Sequence, residues 1–133
     1  MKQRAAEVKN AARRARGAGK AAADEADVLA KIAEMPDADR LLAERVHRIV
    51  SAVTPELAPK LYYGQPAYAR DGKVVCFFRS GQMDKERYST FGFSAHASLD
   101  DDSGLWPTSY ALTDPSEAAW AQLAQLVERA AKA

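Results

Sequence analysis

The apolar residues of this chain change period twice, and that change limits the fold more than any single motif. Up to Thr54 they recur at helical spacing, from Lys60 they alternate with period two, and after Asp114 the helical spacing returns. In the first part, Val28, Leu29, Ile32 and Met35 mark a helix that Asp24 is placed to cap. Pro36 ends it, because a proline disfavours helical geometry in the residue before it. Asp37 then caps a second helix, with Asp39 favourable in its first turn. Leu42, Val46, Ile49, Val50 and Val53 give that helix its buried stripe, and Thr54-Pro55 closes it. The last helix carries Asp114 as cap, Pro115 at the first helical position and Glu117 three residues after the cap. Its stripe is Trp120, Leu123, Leu126, Val127 and Ala130.

Between these lie short apolar runs separated by turn formers, Gly64-Gln65-Pro66, Asp71-Gly72 and Asp100 to Gly104. Asp71-Gly72 is the strongest hairpin signal. In the run Lys73–Arg79, Val75 and Phe77 share one face and Val74, Cys76 and Phe78 the other. Apolar residues on both faces predict a central strand covered on both sides. Within Tyr88–Ser94, Phe91 and Phe93 share a face, and Gly92 predicts close approach of another backbone or ring. The expectation is an α+β fold: a four- to five-stranded antiparallel sheet packed by N-terminal helices and a C-terminal helix.

The chain divides into residues 1–23, a basic Ala/Lys/Arg-rich helical arm, and a domain over residues 24–133. Residues 1–22 hold seven basic side chains against Glu7 alone, a surplus of +6, whereas the rest carries 12 basic and 17 acidic residues, or −5. Gly17 and Gly19 are expected to end or loosen the arm helix. The split invites nucleic-acid binding through residues 1–22, although a helix resting on an acidic body, its own or a neighbour's, accounts for it equally well. No apolar run approaches the ~20 residues of a membrane span, and no apolar segment follows the basic N-terminus as in a secretory signal. A membrane partner is therefore not expected and the cytoplasm is the default location, as a monomer or homodimer. Cys76 is the single cysteine, which precludes an intramolecular disulfide and a Cys-rich zinc site.

Few residues suggest chemistry. Glu44 and His47 form one Glu-x-x-His pair, too few ligands to fill a coordination sphere, and read as a solvated helix face. Asp100, Asp101 and Asp102 gather three carboxylates near His96, a candidate weak cation site. The EF-hand pattern fails, since its twelfth position is Ala111. Cys76, flanked by Val and Phe, reads as a small buried hydrophobe. No nucleophile elbow, phosphate-binding glycine loop or spaced acid–base pair is present, so an enzyme is the less favoured reading. Ten of the eleven aromatic residues fall between Tyr62 and Tyr110. Among them Tyr63, Tyr68 and Trp106 have polar tips, and with Gln65 and Arg79 they are the candidate lining of a small-ligand pocket.

This block resembles the YdhG-like family of small α+β domains. The resemblance rests on Tyr63-Gly64-Gln65-Pro66-Ala67-Tyr68, Gly72-Lys73-Val74-Val75-Cys76-Phe77-Phe78, Tyr88-x-Thr90-Phe91-Gly92-Phe93, Leu99-Asp100-Asp101 and Trp106-Pro107-Thr108, with Ala30 to Pro36 as helical lead-in. It spans about residues 25–133, although the acidic loop here is longer than the family's Leu-Asp-Asp-Gly turn. The resemblance implies an antiparallel sheet packed by helices. The wider group includes a frataxin-like intracellular iron chaperone, so it also implies iron as a possible cargo of Asp100–Asp102 and His96. Together these readings describe a small soluble binding domain, for a small ligand in an aromatic-lined pocket or for a weakly held metal such as iron. The alternative is a nucleic-acid-associated or protein-interaction module acting through the basic arm.

Overall fold

A computed structural model describes residues 2–132, with side chains from residue 16 onward. The basic side chains of Lys2, Arg4, Lys9, Arg13 and Arg14, on which the nucleic-acid reading of the arm mainly rests, lie outside the described side chains. Helices α1 (Lys2–Ala33) and α2 (Asp37–Val53) precede five strands, and helix α3 (Glu117–Ala130) follows them. The strands are β1 (Ala58–Tyr62), β2 (Gln65–Arg70), β3 (Lys73–Arg79), β4 (Ser89–Phe93) and β5 (Ser109–Leu112), in the antiparallel order β1-β2-β3-β4-β5. The fold is thus α+β, with the expected helices on the N- and C-terminal sides of the sheet.

The helix boundaries differ from expectation in three places. Helix α1 runs without a break through Gly17, Gly19 and Asp24. Extending an existing helix is far cheaper than nucleating one, and the Ala-rich flanks offset the ~1 kcal/mol cost of each glycine. Asp24 is therefore no cap; its carboxylate accepts from Lys20 Nζ one turn earlier at 3.3 Å. Pro36, not Asp37, occupies the cap position of α2, and no side chain caps it. In α3 the cap is Ser116, whose Oγ accepts the Ala119 N–H at 3.1 Å, so the helix starts later than Asp114 predicts.

The β1–β2 and β2–β3 turns share one geometry. Tyr63 and Gly64 have φ of +49° and +76°, and Asp71 and Gly72 have +51° and +80°. Positive φ at both central residues matches the right-handed twist of the flanking strands. Gln65 and Pro66, expected in a turn, belong to β2.

All three helices pack on one face of the sheet. Val28 and Ile32 of α1, Val46 and Val50 of α2, and Trp120 and Val127 of α3 meet Tyr68, Phe78 and Phe91 in a single core. Strict alternation along β3 fails, for a local reason. Tyr68 pairs with Cys76 but Ala69 pairs with Val74, so Val75 is an extra residue and the strand bulges. Val75 consequently joins Cys76 and Phe78 in the helix-covered core, while Val74 and Phe77 turn to the opposite face.

That opposite face holds Ala67, Ala69, Val74 and Phe77, with no helical residue among them. Strand β3 is central, as predicted, but its second face is covered by side chains of the sheet itself and not by a helical layer. Gly92 makes this possible: a Cβ there would lie 2.4 Å from the tip of the Phe77 ring, which occupies that space instead. Among the described residues, no helix is long and apolar enough to cross a membrane.

Candidate functional site

The segment between β4 and β5 carries the acidic run and Trp106, and it is clamped at both ends. The Ser98 N–H donates to the Ala130 carbonyl at 3.0 Å, tying the start of the segment to the end of α3. At the other end, the Phe93 N–H donates to the Thr108 carbonyl at 2.8 Å. Inside, Gly104 adopts φ +82° and its N–H donates to the Asp101 carbonyl at 2.9 Å, closing a turn that leaves Asp100, Asp101 and Asp102 exposed. Trp106 and Tyr110 pack against the core edge while remaining half-buried.

The result is a groove of about 410 Å³. One side is the Asp100–Asp102 carboxylates and Leu105, the wall is Trp106 and Tyr110, and α3 contributes Leu126 and Arg129. Three acidic residues, two aromatic residues and one arginine thus line a single concave surface. Two candidates that the sequence presents separately, the acidic loop and the Trp106 ring, line one groove.

The other predicted pocket residues do not join it. Tyr63 projects from the β1–β2 turn with 89% of its surface exposed. Tyr68 is 1% exposed, and its hydroxyl lies 2.9 Å from His47 Nδ1. Gln65 Oε1 accepts the Ser80 N–H at 3.4 Å, and Arg79 pairs with Asp84. The aromatic block is spread over both faces of the sheet because alternate residues of a strand point to opposite sides.

The expected cation set is not assembled either. His96 lines a different depression, with Lys60, Tyr62 and Lys73, and is not part of the groove formed by Asp100–Asp102. Among the described residues, no group of three or more His, Cys, Asp or Glu side chains is arranged to hold a metal ion.

Comparison with family models, with curated proteins and with solved structures returned no match.

Two polar clusters lie deeper, and sequence reasoning missed both. His47 is not on a solvated face: its Nε2 lies 3.6 Å from Glu25 and its Nδ1 contacts Tyr68, while Glu44 pairs with Arg40 instead. Burial, then the neighbouring Cys76 and Glu25, raise the Tyr68 phenol well above its usual range. The Glu25–His47–Tyr68 series thus ends on a neutral hydroxyl inside the core, where it bridges α1, α2 and β2. Cys76, across from Tyr68, is a small buried hydrophobe as expected, its thiol pushed up to about 12 by burial. The second cluster centres on Asp39, 4% exposed, whose carboxylate accepts from Ser80 Oγ, from the Gln82 N–H at 2.9 Å and from Ser89 Oγ at 3.2 Å. A carboxylate in the first turn of α2 is a usual sight, and nothing in the local pattern marks this one as buried.

Proposed function

We propose that this chain is a small binding domain whose ligand is an organic cation held in the groove between the Asp100–Trp106 segment, Tyr110 and α3. The observation that carries the reading is the meeting of Trp106 and Tyr110 with the Asp100, Asp101 and Asp102 side chains around one groove of about 410 Å³. That volume falls in the range of small-molecule sites. Aromatic faces attract ammonium and guanidinium groups through the ring quadrupole, and flanking carboxylates add charge selection. Arg129 supplies a counter-group for a ligand that also bears an acidic end. Membership of the YdhG-like domains belongs to the same proposal and rests on the motif residues. An iron cargo draws less support, because the carboxylates stand exposed and, among the described residues, no three His, Cys, Asp or Glu side chains are arranged to hold a metal ion.

A thermal-shift titration tests this, since a ligand that prefers the native state raises stability by about 2.7 kcal/mol at a hundredfold excess over Kd. Agmatine, spermidine and choline are the cationic probes, with acetate and ferrous iron as contrasts. Stabilisation by a cation that is lost in Trp106→Ala and in the Asp100→Asn, Asp101→Asn, Asp102→Asn triple variant supports the reading. A response to iron that survives Trp106→Ala but not the triple variant favours the metal instead. If no organic cation shifts the melting curve, the proposal fails.

A further inference from the structure

The face of the sheet turned away from the helices has a composition of its own. Register places Lys60 beside Ala67, Ala67 beside Phe77 and Phe77 beside Gly92, so these residues share that face. Tyr62, two residues after Lys60, lies on it as well. Its ring stands 5.8 Å from Phe77 on one side and 4.5 Å from Tyr63 on the other, centroid to centroid. The rings of Tyr63, Tyr62 and Phe77 therefore form a continuous row from the β1–β2 turn to the middle of the sheet. Their exposures grade along the row, from 89% at Tyr63 through 37% at Tyr62 to the half-buried Phe77.

Beside this row lies a depression of about 460 Å³ whose rim carries Lys60, Lys73 and His96, with Tyr62 as one wall. No carboxylate lines it among the described residues. Its charge is opposite to that of the Asp100–Asp102 groove, which shares none of its residues. Exposed rings offer sequence-tolerant stacking surfaces for unpaired bases, and flanking lysines track phosphates; an antiparallel sheet face is a recurrent scaffold for this combination.

We propose that this open face binds single-stranded nucleic acid, with bases stacked on Tyr63, Tyr62 and Phe77 and phosphates held by Lys60 and Lys73. A strand suits the face better than a free nucleotide because three rings in a row present more stacking surface than one base can cover. Duplex suits it poorly, since paired bases cannot lie on the rings.

Fluorescence anisotropy with the full chain and a labelled ten-nucleotide oligo-dT at low salt tests the idea. The parent binds, and affinity falls as salt rises because phosphate contacts release counterions. Stacking lost at one ring weakens a complex by at least about 5-fold, so Tyr62→Ala with Tyr63→Ala weakens it by ~25-fold or more. Lys60→Glu with Lys73→Glu weakens it and flattens the salt dependence. Tyr62, Tyr63 and Lys73 are exposed, so these variants keep the fold, which an unchanged melting curve verifies. Four results overturn the proposal: no binding by the parent, equal binding of duplex, full competition by free thymidine monophosphate at matched nucleotide concentration, or tyrosine variants that bind as well as the parent. The last pattern assigns any affinity to the arm alone.

Discussion

Replacing Asp39 by alanine is the sharpest test of how this fold is held together. The Asp39 carboxylate joins the first turn of α2 to both ends of the β3–β4 connection, through the hydroxyls of Ser80 and Ser89 and the N–H of Gln82. A hydrogen bond to a charged acceptor is worth about 1.5–3 kcal/mol, and a donor left without an acceptor in the interior carries its own desolvation cost. The two serines also serve other partners, since Ser89 Oγ accepts the Gly81 N–H at 3.0 Å and Ser80 Oγ the Met83 N–H at 3.4 Å. Their hydroxyl protons can rotate toward new acceptors, but the Gln82 N–H cannot. Water reaches Gln82, which is exposed. Discounting for these two effects, Asp39→Ala costs ~3–5 kcal/mol, a large share of the ~5–15 kcal/mol that holds a typical domain folded. Urea unfolding followed by tryptophan fluorescence measures it as a fall in midpoint at unchanged slope. Asp39→Asn keeps one oxygen for the Gln82 N–H and should cost about half as much or less. A loss below about 1 kcal/mol for the alanine variant, or an asparagine variant as damaged as the alanine one, refutes the reasoning.

Two further outcomes are expected. Gly92→Ala forces the Phe77 ring tip out of the space a Cβ needs. Overpacking of this kind costs about 1–3 kcal/mol, and the variant should also weaken oligonucleotide binding by disturbing the ring row; unchanged stability on thermal melting rejects the close approach. The bidentate pair of Arg45 with Glu117, at 2.9 and 2.5 Å, joins α2 to α3 and through its hydrogen bonds holds the Glu117 carboxyl below its ordinary value of 4.5. A depressed carboxyl contributes in full above its unfolded pKa and loses that contribution as pH falls through the folded one. Glu117→Gln should therefore flatten the acid limb of a stability–pH profile below 4.5. An identical limb in parent and variant argues against the pair.

The elements that were legible in the sequence share a cause. Periodicity is a local record of which side of an element meets the core, so the α3 stripe, the α2 stripe as far as Val50 and the central place of β3 could be read directly, whereas Val53, expected in the α2 stripe, is 37% exposed at the helix end. Asp71-Gly72 announces its turn because few other residue pairs adopt two successive positive φ values without strain. Gly92 was legible as a point of close approach, though not as the seat of Phe77. Misreadings arose where a local rule met a non-local partner. Asp24 and Asp114 fit capping positions, yet α1 extends through the first and Ser116 caps in place of the second. The Val75 bulge reverses the face assignment of Val74 because β2 and β3 are out of step by one residue there, a property of two strands and of neither alone.

The candidate sites show the same division. The sequence alone determines which chemical groups exist: three adjacent carboxylates, a dense set of aromatic rings, one thiol and a basic N-terminal arm. It also determines the order of elements, since hydrophobic period is set residue by residue. Only the tertiary structure decides which groups meet. It sends Tyr68 into the core against His47, sets Tyr62 and Phe77 side by side on the open face, and brings Trp106 to Asp100–Asp102. Those outcomes depend on register, bulge and the angle at which α3 returns to the sheet. The first two are fixed by packing between segments distant in the chain, and the third by a local turn at Gly104 together with the tie of Ser98 to the end of α3, so hydrophobic period alone encodes none of them.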